Sequence, residues 1–189
     1  MRQNGIIKRG AIMKLNKDIE NVYSLQDYGK KESIAGVSLI ELKRFVDDGG
    51  SFSELLRLDA GAAEGLNLPI RQINYTEMHP ATVKAFHVHR QQTDIWYVPP
   101  SDRLLLILVD VRADSPTQGN MLRLVLGDGT SRLVVIPSGI AHGCKNLSQR
   151  DVRVIYFMDQ NFDPDPQGCD EGRLPWDHWG KDIWDVTPG

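Results

Sequence analysis

From Gly36 onward, apolar and polar positions alternate in short runs broken by Gly, Pro and Asp, a period near two that predicts strands. Val37 to Val46 and Ser51 to Leu58 flank the turn Asp47-Asp48-Gly49-Gly50 and read as a hairpin. In Ile70 to Thr76, Gln72 and Asn74 share one face opposite Arg71, Ile73 and Tyr75. Asp94 to Val98 precedes the turn Pro99-Pro100-Ser101-Asp102, and Leu104 to Val111 is apolar throughout, as a strand buried on both faces would be. Gly127-Asp128-Gly129 turns into Arg132 to Ile136, and Val152 to Met158 is the last clear strand. With no long amphipathic helix and no repeat, the pattern predicts an all-β sandwich or barrel.

Outside that body the pattern lapses. Residues 1–35 show no sustained period and read as an N-terminal arm; 36–160 form the β domain, with a Gly/Ala-rich loop at Asp59 to Pro69. Residues 161–189, rich in Pro, Asp and Trp, read as a tail packed on the barrel, with Trp176, Trp179 and Trp184 as its clamps.

At 189 residues, 41% hydrophobic and 25% charged, the chain can bury one core. Its net charge of -3 argues against a nucleic-acid partner, which would call for a concentrated basic face. Cys144 and Cys169 make no disulfide framework and read as free thiols in a reducing compartment. The basic N-terminus (Arg2, Lys8, Arg9, Lys14, Lys17) has only Ala11 to Met13 as an apolar run, far short of a signal-peptide core. No stretch approaches the roughly 20 apolar residues of a membrane span. A cytoplasmic protein with no membrane partner is expected.

The chemistry concentrates in ATVKAFHVHRQQTDIWYVPP, Ala81 to Pro100. Alternation along a strand puts Ala85, His87 and His89 on one side and Phe86 and Val88 on the other. It also puts Lys84 opposite His87, so uniting these two takes a bulge. His142 follows Pro137-x-Gly139. Together His87, His89, Asp94 and His142 offer three imidazoles and a carboxylate, a set that divalent iron, manganese, nickel or zinc accepts.

Pro137-x-Gly139-x-x-His142-x-x-x-Asn146 resembles the second motif of the cupin superfamily, and His87-x-His89-x-x-x-x-Asp94 its first, with Asp for the usual Glu. A narrower likeness runs from Gly36 to Trp184. RFVDDGGSFSEL, Gln72-x-Asn74, KAFH, VDVRADSPTQG, IPSGIAHG and Ile155-Tyr156 occur in the order of the corresponding blocks of the dTDP-4-dehydrorhamnose 3,5-epimerase family, which the chain resembles. Gly49 stands where the family has an arginine, Asp94 where it has a lysine, and His89 where it has a glutamine.

The resemblance implies a cupin-type jelly roll, usually a homodimer, that epimerises a nucleotide-linked 4-keto-6-deoxy sugar without a cofactor. It implies His87 as base, Tyr156 as acid, Lys84 at the enolate oxygen and His142 lining the site. Gln72, Asn74, Glu54 and His89 would contact the substrate. The aspartate that orients the histidine in the family has no evident counterpart. Two other readings stand beside this one: a metal-dependent oxygenase or isomerase using His87, His89, Asp94 and His142, and a sugar-binding cupin without turnover.

Overall fold

The apolar runs pair into sheets because each strand has two faces to bury. A computed structural model describes residues 13–25, 32–58 and 68–186, and the chain divides into two units, Met1–Lys31 and Glu32–Gly189. In the first, a single helical turn, α1 (Lys17–Glu20), starts where the Asn16 side chain accepts the Asp18 and Ile19 amides at 3.1 and 3.0 Å. The rest of the arm expected at 1–35, including Arg2, Lys8, Arg9 and most of Ala11 to Met13, falls partly on 1–12 and 26–31, outside the described residues. So do 59–67 of the expected loop.

The second unit contains β1 (Ser38–Glu41), β2 (Phe45–Asp47), β3 (Gly50–Phe52), β4 (Gln72–Met78), β5 (Val83–Val88) and β6 (Asp94–Tyr97). After these come β7 (Arg103–Asp110), β8 (Met121–Gly127), β9 (Arg132–Ile136), β10 (Ile140–Asn146), β11 (Val152–Met158) and β12 (Gly172–Arg173). Two antiparallel five-stranded sheets, β1-β9-β6-β11-β4 and β12-β5-β10-β7-β8, form the cupin-type jelly roll expected, with β2-β3 as a separate ribbon. No helix among the described residues is long and apolar enough to cross a membrane.

The expected hairpin is shorter than its apolar run. β1 leaves it to pair with β9, Ser38 opposite Val135, and only β2 and β3 remain around the turn. Ile40 and Leu42 instead pack with Leu55, Leu56, Leu68 and Ile70 on the outer face of the first sheet, over Ile95, Leu133 and Phe157. Besides the two-residue β12, two strands carry no clear signal in the sequence. β8 is half exposed at a sheet edge, and β10 mixes His142, Gly143, Lys145 and Asn146 among its apolar positions.

β7 is buried from Leu104 to Asp110 because its two faces feed two clusters. Leu104, Leu106 and Leu108 enter the core between the sheets with Val134, Ile136, Ile140 and Val154. Leu105, Ile107 and Val109 lie beneath Phe86 and Trp184 on the outer face of the second sheet. The tail covers that face: Trp179 meets Phe86 edge-on at 4.8 Å, and the Trp184 indole donates to the Trp176 carbonyl at 2.9 Å. Trp176 itself stays 45% exposed, so it is not a third clamp.

The signature at Val109 to Gly119 is a structural lock. Buried Asp110 accepts from Arg112 Nη2 at 2.8 Å and Thr117 Oγ1 at 2.7 Å, and Arg112 Nη2 also donates to the Ala35 carbonyl at 2.7 Å. Gly139, with φ +75, lies where a Cβ would come within 2.4 Å of Arg112 Cγ, so this turn requires glycine.

Candidate active site

Beside the apolar core, the space between the sheets becomes polar and opens into a cavity of about 300 Å³. Asn74, Thr76, Asp94, Trp96 and Tyr156 line it from the first sheet; Lys84, His87, His89, His142 and Cys144 line it from the second. Gln160 to Asp163 and Asp170, Glu171 and Arg173 close it from the tail.

The bulge needed to unite Lys84 with His87 is present. β10 pairs His142 with His87 and then Cys144 with Lys84, so two steps on β10 match three on β5. That extra residue returns Lys84 to the face of His87. The Lys84 ammonium donates to Thr76 Oγ1 at 2.9 Å, which fixes it across the cavity from its own sheet.

His87 has the partner that the sequence did not reveal. β12 runs beside β5 with Arg173 opposite His87, and this places Glu171 Oε1 3.5 Å from His87 Nδ1. Burial lowers the His87 pKa to about 4, with His142 and Arg173 acting in the same direction and Glu171 against them. The imidazole is therefore neutral at pH 7. The acidic pair Asp170-Glu171, just after Cys169, was the available sequence signal, but it lies in a segment with no periodicity.

Asp170 fastens the same tail segment. Its carboxylate accepts the Arg90, Gln91 and Gln92 amides, each at 2.9 Å. Burial opposes its ionisation, but these donors hold its carboxyl below the usual carboxylate range.

His89, Asp94 and His142 form a buried group whose ligand atoms all lie within 4.8 Å of one another. Asp94 Oδ2 is 3.5 Å from His142 Nε2 and 3.9 Å from His89 Nε2. Asp94 also accepts from the Gln92 amide at 2.7 Å and the Trp96 indole at 3.3 Å. Burial lowers the His142 pKa, and Asp94 opposes that shift. The four-residue set considered from sequence thus gathers as three, because His87 turns to Glu171.

Tyr156 lines the same cavity as His87, from the other sheet. It stacks on Trp96 at 5.6 Å, and burial raises its pKa, so its hydroxyl keeps its proton at pH 7. Asn74 lines the cavity, whereas Gln72 supports it from behind, donating to Asn74 Oδ1 at 3.0 Å and accepting the Phe162 amide at 2.8 Å. Glu54 lies outside the cavity, exposed and paired with Arg57 at 2.7 Å. Gln92, Trp96, Asp170, Glu171 and Arg173 are cavity residues that periodicity and motif spacing did not single out.

Comparison with known proteins gives the family of the chain. The dTDP-4-dehydrorhamnose 3,5-epimerase family matches residues 31–178. The spore coat polysaccharide biosynthesis protein SpsL of Bacillus subtilis is 35% identical over 144 residues, 76% of this chain and 91% of that protein. A dTDP-4-dehydrorhamnose 3,5-epimerase from Bacillus anthracis, solved with TDP and PPi bound, superposes with a TM-score of 0.70 at 25% identity, over 84% of this chain and 90% of that one. NovW, a 4-keto-6-deoxy sugar epimerase from the novobiocin gene cluster of Streptomyces spheroides, gives a TM-score of 0.67 at 25% identity, over 80% of this chain and 75% of that one.

Proposed function

The chain belongs to the dTDP-4-dehydrorhamnose 3,5-epimerase family and is an isomerase-type enzyme, and on that premise we propose that it inverts carbon centres next to the ketone of a nucleotide-linked 4-keto-6-deoxy sugar. The observation that carries the reading is the opposition of His87 and Tyr156 across one cavity, from strands of different sheets. An epimerase needs a base on one face of the sugar ring and an acid on the other.

The C4 ketone acidifies the protons on C3 and C5. Neutral His87 takes one of them as the C–H electron pair moves into an enolate, and the charge that develops on oxygen is met by the Lys84 ammonium. Tyr156 then returns a proton to the same carbon from the opposite face, inverting it. The phenolate and imidazolium regain their starting states through solvent. One proton leaves and one arrives, so the balance requires no redox cofactor. Glu171, on the Nδ1 side of His87, orients the ring and supports the imidazolium that forms. It fills the role whose apparent absence favoured a binding protein without turnover.

The test is solvent deuterium incorporation into dTDP-4-keto-6-deoxyglucose, followed by NMR. The wild type is expected to exchange at C3, C5 or both. His87→Ala should retain its circular dichroism and lose exchange by about 10²–10⁴-fold, the usual contribution of a general base. Tyr156→Phe should still exchange yet invert poorly. Undiminished exchange in folded His87→Ala would refute the assignment.

A further inference from the structure

We propose that His89, Asp94 and His142 form a binding site for a divalent first-row transition-metal ion, within the same cavity but distinct from the acid–base pair. The inference does not depend on the proposed reaction. It rests on the convergence of three side chains and on what the far side of each histidine ring touches. His142 Nδ1 lies 3.1 Å from the Ile140 carbonyl and His89 Nδ1 lies 2.9 Å from the Asp170 carbonyl. A carbonyl oxygen only accepts, so both Nδ1 atoms must be N–H donors.

With Nδ1 of each ring engaged in this way, Nε2 is the atom turned toward the Asp94 carboxylate. Oδ2 is 3.5 Å from one Nε2 and 3.9 Å from the other. Three atoms able to ligate a metal converge in a buried space, His142 being 2% exposed, Asp94 4% and His89 8%. Such a convergence calls for a cation. Ligands about 2.1 Å from a tetrahedral ion sit about 3.4 Å apart; the Asp94–His142 spacing already fits, and His89, with all three ligand atoms within 4.8 Å of one another, would move in toward the other two on binding.

The outer shell is complete as well. A metal-bound histidine characteristically donates its other N–H to a carbonyl or carboxylate, and both histidines do so here. Asp94 is steadied by Gln92 and Trp96. The Gln92 amide nitrogen also approaches His89 Nε2 at 3.5 Å, a weak contact that an ion would outcompete. Two imidazoles and one carboxylate suit zinc, iron, cobalt or nickel better than calcium or magnesium. The remaining coordination positions would take water or an oxygen of a bound molecule, since all three side chains line the cavity.

The competing occupant is a proton, which would make one imidazolium–carboxylate pair. Cobalt(II) distinguishes the two. Untagged protein, stripped with a chelator, should bind one equivalent of cobalt(II) with ligand-field bands in the visible spectrum. Asp94→Asn and His89→Gln should each weaken binding by at least about tenfold, while His87→Gln leaves it unchanged. X-ray absorption of the cobalt-loaded wild type should find two imidazole ligands, which decides the ligand set even where a variant fails to fold. The inference is overturned by folded wild type that develops no cobalt bands, by bands that survive unweakened in Asp94→Asn, or by a spectrum without two imidazoles.

Discussion

Glu171 is the residue on which the geometry adds most to the sequence. A glutamine there would keep the shape of the side chain and remove the charge facing His87 Nδ1, 3.5 Å away. Because Glu171 acts through His87, the loss should fall on the chemical step. Glu171→Gln is expected to lower kcat by about tenfold or more with KM nearly unchanged, and Glu171→Asp to recover part of the rate. Steady-state kinetics on both variants, with thermal unfolding as a control, checks this. A fall in melting temperature with kcat intact would make Glu171 a structural residue only. Lys84 shows the complementary lesson. Its place beside His87 contradicts simple alternation, yet the one-residue offset between β5 and β10 accounts for it fully.

At the scale of elements, the bulge depends on Gly143. A Cβ at that position would stand 2.4 Å from Ala85 Cβ and 3.0 Å from Trp184 Cη2. β5, β10 and the tail can approach one another only because that atom is missing. Gly143→Ala is expected to destabilise the protein by about 1–3 kcal/mol and, by shifting β5, to cost exchange activity beyond the loss of folded material. Urea unfolding and deuterium exchange measured on the same preparation test it. Strands with a pure apolar signal, such as β7 and β9, were legible in the sequence because both their faces bury. β10 was not, because its inner face carries His142 and its close packing is expressed through a glycine. β12 was not, because two residues make no period; its place follows from pairing with β5, which is a tertiary fact. The histidines were legible as chemistry, while their division between Glu171 and Asp94 depends on tail residues that no spacing rule connects to β5.

At the scale of the whole molecule, the two sheets are held to the segment before β1 by a charged lock. Asp110 is buried, and the Arg112 guanidinium, with Ser115 and Thr117, holds its carboxyl well below the usual carboxylate range despite the burial that opposes it. In the unfolded chain the same group titrates near 4. A carboxylate with a depressed folded pKa binds fewer protons when folded, so stability rises with pH through the interval between the two values. Its contribution is fully present above the unfolded pKa and is lost as pH falls through the folded one. Asp110→Asn keeps the shape and removes the charge, leaving Arg112 without its partner. Because Asp110 is buried while Arg112 stays 31% exposed, the change should cost about 1–3 kcal/mol at pH 7, less than for a fully buried pair. That deficit should shrink as the pH falls below 4, where the wild type begins to lose the same interaction. Urea midpoints of both proteins between pH 7 and pH 3 measure the difference directly. Curves that stay parallel across that range would show that Asp110 stabilises the fold through its shape and hydrogen bonds, and that its charge contributes nothing.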